Sequence, residues 1–255
     1  MDVFNRTQTI ELAQISFSKN RVDDFIPNNF ISDKKAGKLL LFCYDSDPMT
    51  FTNIAKDAFN STRQHTTNLD LSFCRLRDSD LSFLDGFNKL TYLRIDYFYE
   101  MGRLFSTLPS NFPEITNFKL SRCFGWNTLV NAPPPIVGAR KLTRLDIIQS
   151  TDMNDDVMDS VMTWAVQSFN LTLTSLYIYN NNLTRIPTQI EFFGKLITLD
   201  LNNNFFPLIP KSSLKFQSDD LNLIDLSNCG VKDIESNAFE GESRDRSCYH
   251  SLLNK

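Results

Sequence analysis

The sequence predicts an α/β solenoid: a curved horseshoe with a parallel β-sheet on its concave face and mixed helical and extended segments on its convex side. Three observations carry that expectation. The pattern Leu-x-x-Leu-x-Leu-x-x-Asn-x-Leu recurs, most clearly at Leu173, Leu176, Ile178, Asn181, Leu183 and at Leu196, Leu199, Leu201, Asn204, Phe206. Weaker copies return along the chain at an interval of about 20–30 residues, the period of this type of repeat. Finally, an apolar content of 42% is enough to fill one continuous core and argues against disorder. In a leucine-rich repeat each copy adds one short strand and one return segment, and stacking buries the apolar rows.

Outward from the clear copies the earlier repeats are degraded, although the first matches in full and the second carries aspartate in the asparagine position. Leu12, Ile15, Phe17, Asn20, Val22 open the series, followed by Leu39, Phe42, Tyr44, Asp47, Met49. Next come Thr66, Leu69, Leu71, Cys74, Leu76, then Leu90, Leu93, Ile95, then Ile115, Phe118, Leu120, Cys123, and then Leu142, Leu145, Ile147. With the two clear copies and a last one at Leu221, Ile224, Leu226, Cys229, Val231, nine repeats are expected, beginning at 12, 39, 66, 90, 115, 142, 173, 196 and 221. A chance apolar pattern would not hold this period across the chain.

Within a repeat, three apolar side chains point inward. The Asn, Cys or Asp that follows turns inward at the strand exit, where its polar atoms satisfy backbone groups that the turn strands. Cys74, Cys123 and Cys229 fall in that slot and read as small buried core residues, neither catalytic nor bridged. The return segments carry phenylalanines: Phe25, Phe30, Phe59, Phe83, Phe87, Phe105, Phe112, Phe193 and Phe239. Stacked repeat upon repeat, they predict an aromatic spine under the convex side.

Ile186-Pro187 and Ile209-Pro210 predict extended convex segments, because proline lacks the donor a helix interior needs. The sixth repeat differs. Val157, Val161, Trp164, Ala165 and Phe169 recur at helical spacing, with Asn154 as N-cap and acidic Asp155 and Asp156 in the first turn. A convex helix is expected there.

Residues 1–241 are read as the solenoid and residues 242–255 as an irregular C-terminal tail or incomplete cap. The N-terminus lacks the basic and apolar regions of a secretory signal, and with the thin C-terminal cap this makes an incomplete chain or an imperfect gene model the expectation. No stretch approaches the roughly 18–20 apolar residues of a membrane span; residues 38–43 read as a buried strand. Asn5, Asn60, Asn170 and Asn182 each begin an Asn-x-Ser/Thr sequon and are candidate glycosylation sites, which points outward from the cell. Five cysteines leave at least one unpaired, and the state of Cys43 and Cys248 stays open.

Chemistry is not expected. A net charge of −4 with scattered lysines and arginines excludes a nucleic-acid groove. The two histidines, His65 and His250, lie near opposite ends of the solenoid, and His65 reads as a surface residue. There is no Gly-x-Ser-x-Gly elbow, no phosphate-cradling glycine loop and no zinc-type spacing, so no catalytic residue, metal or cofactor is assigned.

A binding role remains. Strand side chains alternate between core and concave face, which directs Tyr92, Arg94, Asp96, Asn117, Lys119, Ser121, Arg144, Asp146, Ile148, Ser175, Tyr177, Tyr179, Thr198, Asp200 and Asn202 outward. Tyrosine and arginine dominate binding hot spots because they bury large amphipathic area while keeping donors. Candidate binding residues are therefore Tyr92, Arg94, Asp96, Lys119, Arg144, Asp146, Tyr177, Tyr179, Asp200 and Asn202, centred on Tyr177, Tyr179, Arg144 and Asp146. The plainer reading is a solvated sheet face on which Arg144 offsets Asp146 or Asp200.

Asn180-Asn181-Asn182-Leu183-Thr184-Arg185-Ile186-Pro187, Leu199-Asp200-Leu201-Asn202-Asn203-Asn204 and Ile234-Glu235-Ser236-Asn237-Ala238-Phe239-Glu240-Gly241 resemble extracellular animal leucine-rich-repeat proteins. Leu71-Ser72-Phe73-Cys74 leading to Phe83-Leu84-Asp85-Gly86-Phe87, and the helix entering Leu173-Thr174-Ser175-Leu176-Tyr177, narrow this further. In these features the chain resembles arthropod proteins akin to the non-catalytic subunit of the Oplophorus-type luciferin 2-monooxygenase. The resemblance covers most of residues 60–241. It implies a secreted, glycosylated, non-enzymatic protein that associates with or stabilises another subunit. Cysteines in the asparagine slot and the absent leader fit the alternative, an intracellular adaptor such as a ubiquitin-ligase substrate receptor.

Overall fold

The computed structural model describes residues 10–16, 25–26, 36–42, 53–72, 74, 76, 81–99, 101, 112–126 and 140–239. The first strands are β1 (Ile10–Ser16), β2 (Phe25–Ile26), β3 (Ala36–Phe42), β4 (Asn53–Ile54) and β5 (Asn68–Leu71). Then follow β6 (Tyr92–Asp96), β7 (Asn117–Ser121), β8 (Arg144–Ile148), β9 (Ser175–Tyr177) and β10 (Thr198–Asp200). The last are β11 (Leu208–Ile209), β12 (Leu223–Asp225) and β13 (Asp233–Ile234). Nine of these build one sheet in the order β1-β3-β5-β6-β7-β8-β9-β10-β12, every neighbour parallel to the next. Consecutive repeats therefore lie side by side, as a one-dimensional stack requires.

From the third repeat onward the consensus leucines align. Leu69, Leu93, Phe118, Leu145, Leu176, Leu199 and Ile224 pair in register across seven strands, and each is at most 6% exposed. The first two repeats begin earlier than expected. Leu39 pairs with Leu69, which puts Ala36 rather than Leu39 at the head of the second repeat, with Leu39 and Leu41 as its inward pair. Ile10 pairs with Ala36, and Ala13 with Leu39, so the first repeat begins at Ile10 rather than Leu12. The continuous apolar run at 39–42 offers several in-frame leucines, and a small alanine hid the true first position.

The polar slot behaves as its chemistry requires. Asn204 Nδ2 donates to the carbonyls of Ile178 and Leu201, each at 2.8 Å, while its Oδ1 accepts from the amides of Asn181 and Leu183 at 3.1 and 3.2 Å. Asn181 repeats the theme, donating to Ile147 O at 2.7 Å and accepting from Ser150 N at 2.9 Å. Cys229 and Cys123 fill the same slot as free buried thiols, and Cys229 Sγ donates weakly to Leu201 O at 3.2 Å. Cys74 departs from expectation. It is disulfide-bonded, and the two remaining cysteines, Cys43 and Cys248, lie outside the described residues. Nothing in the repeat pattern marked it, since a buried slot suits a thiol and a half-cystine equally.

A left-handed residue precedes the slot in six successive repeats: Tyr97, Arg122, Gln149, Asn180, Asn203 and Asn228, with φ between 52° and 61°. This conformation swings the next side chain inward, and asparagine tolerates it best among residues with a Cβ. A second ladder runs along the sheet entrance. Thr91, Thr116, Thr143 and Thr174 each donate their Oγ1 to the carbonyl of the preceding threonine, at 3.0, 3.0, 3.2 and 3.1 Å, the first of them to Thr67.

On the convex side, helix α1 (Asp155–Phe169) is capped by Asn154, whose Oδ1 accepts from Val157 N at 2.9 Å. It buries Val157, Val161, Trp164, Ala165 and Phe169, as expected, together with Met158 and Met162. Asp155 also reaches the next repeat, accepting from Thr184 N at 2.9 Å, and Arg185 bridges to Asp159 at 2.6 Å. Ile209-Pro210 closes the extended β11, which pairs with β13. Ile186-Pro187 instead leads into a 3-10 turn at Thr188–Phe192: Pro187 is extended, yet its fixed φ also suits a helix start.

The aromatic spine appears in part. Phe59 meets Phe83 and Phe87 edge-on at 6.2 and 6.1 Å, and Phe112 and Phe193 are buried. Phe239 is only partly buried, and the side chains of Phe25, Phe30 and Phe105 lie outside the described residues.

Candidate functional site

Strand register sets the outward residues in rows. One row crosses the sheet as Asp70, Arg94, Lys119, Asp146, Tyr177, Asp200 and Asp225. The row beside it places Tyr92, Asn117, Arg144, Ser175 and Thr198 next to one another. All ten candidate binding residues lie on these strands or at their immediate exits.

Two Arg-x-Asp units organise the face. Arg94 donates to both oxygens of Asp96, at 3.0 and 2.8 Å, and lies 3.9 Å from Asp70. Arg144 donates to both oxygens of Asp146, at 2.8 and 3.0 Å, and its guanidinium carbon lies 4.1 Å from the centre of the Tyr177 ring. Two parallel charge-assisted bonds with a cation–π contact fix a guanidinium more firmly than either alone. The hydrogen bond to Asp146 is also what most raises the affinity of Arg144 for its proton.

Alternation misassigned part of this surface. Asp96 and Asp146 are 0% and 2% exposed, so they hold the arginines and are not themselves presented. Ser121 and Ile148, expected outward, are likewise buried. Tyr92, Lys119, Tyr177, Tyr179, Asp200 and Asn202 are half-buried, as side chains standing on a sheet among neighbours would be.

Between the two arginine units lies a cavity of about 240 Å³ lined by Tyr92, Asn117, Phe118, Lys119, Arg144 and Asp146. Burial, aided by Asp70, pushes the Tyr92 phenol up to about 12, so it remains a hydrogen-bond donor at neutral pH. Further along, burial raises Asp200, and Asp225 adds to the rise by like charge, although the Asn202 amide bound at 3.0 Å opposes it. Tyr179 is also raised, chiefly by burial and then by Asp146 and Asp200.

Of the sequon asparagines, Asn60 and Asn182 are exposed, Asn170 is half-buried as the C-cap of α1, and Asn5 lies outside the described residues. His65 is half-buried in a turn, and His250 lies outside the described residues. Among the described residues no group of three or more His, Cys, Asp or Glu is arranged to hold a metal ion. No helix among them is long and apolar enough to cross a membrane.

A family model described as Leucine Rich Repeat matches residues 172–193, nearly the whole of the repeat that begins at Leu173. In structure the chain is similar to an internalin from Listeria monocytogenes str. 4b F2365. Identity to it is 13%, with 81% of this chain and 82% of that chain covered, and the TM-score is 0.38. No curated protein matches in sequence. One parallel strand per repeat, with slot residues tying successive coils, makes the fold a leucine-rich-repeat solenoid.

Proposed function

We propose that this chain is a non-enzymatic protein-binding scaffold that takes its partner on the concave strand face, as an accessory subunit of a secreted complex. The observation that carries the reading is the Arg144–Asp146–Tyr177 unit. Its guanidinium is held by two hydrogen bonds and a ring before any partner arrives, so little side-chain freedom is left to lose on docking. Tyr179 extends the same aromatic surface. An arginine and two tyrosines clustered near the middle of a strand face have the composition of a binding hot spot.

Secretion is supported by the disulfide at Cys74, a bond that persists in oxidising compartments, and by exposed sequon asparagines at Asn60 and Asn182. A role beside another subunit is what the resemblance to non-catalytic luciferin 2-monooxygenase subunits implies. Capture of partners by the tagged chain tests the reading: Tyr177→Ala with Tyr179→Ala should lower retention at least tenfold while the chain stays folded, its thermal midpoint falling by only a few degrees, roughly the loss of the Arg144–Tyr177 contact. Unchanged retention would remove the Tyr177–Tyr179 patch as the docking site.

The free, buried thiols of Cys123 and Cys229 favour a second reading, an intracellular adaptor. Glycosidase digestion of the native protein separates the two. A mobility shift supports the secreted scaffold, and no shift supports the adaptor.

A further inference from the structure

Carboxylates on the middle of the concave face are already spent, whereas several donors are not. Both oxygens of Asp146 accept from Arg144, and both oxygens of Asp96 accept from Arg94. Lys119 stands in register between Arg94 on one strand and Asp146 on the other. It therefore has a like charge on one side and an already paired carboxylate on the other. Among the described residues Lys119 makes no hydrogen bond or ion pair, and the side chains of Tyr92 and Asn117 make no hydrogen bond.

These three side chains line the same cavity of about 240 Å³. An ammonium, a phenol and a carboxamide from two neighbouring strands supply the donors. Half-buried donors of this kind give up part of their hydration when a partner covers the face; a carboxylate, with two acceptor oxygens and the charge that matches the ammonium, compensates them best. A second arginine or lysine from the partner would meet an excess cation, and an apolar side chain would strand the donors.

We infer that the cavity between Tyr92, Asn117 and Lys119 receives a single aspartate or glutamate side chain of the partner protein, with Lys119 as its counter-ion. This rests on the concave-face reading above and names the chemistry of the contact. It divides the face into two tasks: the Arg144–Tyr177 unit provides contact area, and the Lys119 cavity provides charge selection. Such a division gives specificity, because a partner with glutamine or lysine at that position leaves Lys119 unmatched.

The test uses the whole chain and a small probe. Amide resonances of the labelled protein are followed while N-acetyl-L-glutamate N-methylamide is added, with the glutamine analogue as control. Saturable shifts at residues 92, 117 and 119 with the glutamate probe, at least tenfold weaker with the glutamine probe and in Lys119→Gln, support the inference. Lys119→Arg, which keeps the cation, should restore binding. Equal shifts with both probes, no shift at these residues, or an unchanged titration in Lys119→Gln would overturn it. The probe is a free amino-acid derivative, so its titration does not depend on capture of the partner protein, and its failure is distinguishable from failure of concave-face docking.

Discussion

The guanidinium of Arg144 lies 4.1 Å from the centre of the Tyr177 ring and donates to both oxygens of Asp146 on its own strand. One residue thus joins strands β8 and β9 through chemistry that neither the sheet ladder nor the core provides. Asp146 is buried beneath it, while the Arg144 side chain is 43% exposed.

Removing the carboxylate leaves the guanidinium with access to water, so the cost should be moderate. Asp146→Ala is expected to lower unfolding free energy by about 1–3 kcal/mol, the range for losing a charged hydrogen-bond acceptor. A double-mutant cycle between Arg144→Ala and Tyr177→Ala should give a coupling of about 0.5–1 kcal/mol, as for a partly exposed cation–π pair. Denaturant titration measures both. Additive effects would show that the ring and the guanidinium are merely adjacent.

The two ladders should differ sharply in worth. Asn204 satisfies two carbonyls and two amides with one buried side chain, so Asn204→Leu leaves several backbone groups unmatched. A loss of at least about 3 kcal/mol is expected, since each unmatched buried group costs about 1–3 kcal/mol. Thr116→Val removes one bond to Thr91 O, yet that carbonyl still accepts from the backbone amides of Thr116 and Asn117. There the loss should be about 0.5–1 kcal/mol, one net hydrogen bond. Equal losses at the two sites would contradict the role given to the slot.

Buried thiols make a further test. Burial pushes the Cys123 thiol up to about 12 and the Tyr92 phenol up to about 12, whereas the unfolded chain releases these protons near about 8.5 and 10. Above about pH 8 the unfolded state holds fewer protons than the native one, so this stability is complete below that range and falls as pH rises toward 12. Cys123→Ala with Tyr92→Phe should flatten this decline. In the native protein at pH 8, Cys123 and Cys229 should resist a thiol reagent, and Cys74, which is just as buried, should become reactive only after reduction and unfolding.

The solenoid was legible because its signal repeats: Leu69, Leu93, Phe118, Leu145, Leu176, Leu199 and Ile224 each restate the period. The register of the first two repeats was not, because Ala36 is a weak marker beside a run of leucines that fits several frames. The threonine ladder was visible at Thr67, Thr91, Thr116, Thr143 and Thr174, one residue after each first apolar position. It reads as strand-edge polarity until the carbonyl partners are seen. At the site, strand alternation brought Tyr92, Lys119, Arg144 and Tyr177 to one face. Alternation says nothing of depth, so it missed that Asp96 and Asp146 are covered by the arginines they hold.

Concave-face docking stands or falls on where a partner touches the chain. A photoactivatable phenylalanine analogue placed at Tyr179, or in a second variant at exposed Phe192 on the convex turn, reads this in the native complex. The expected result is a covalent adduct from position 179 and none from position 192. Adducts from 192 alone would put the partner on the convex side and contradict the proposed interface.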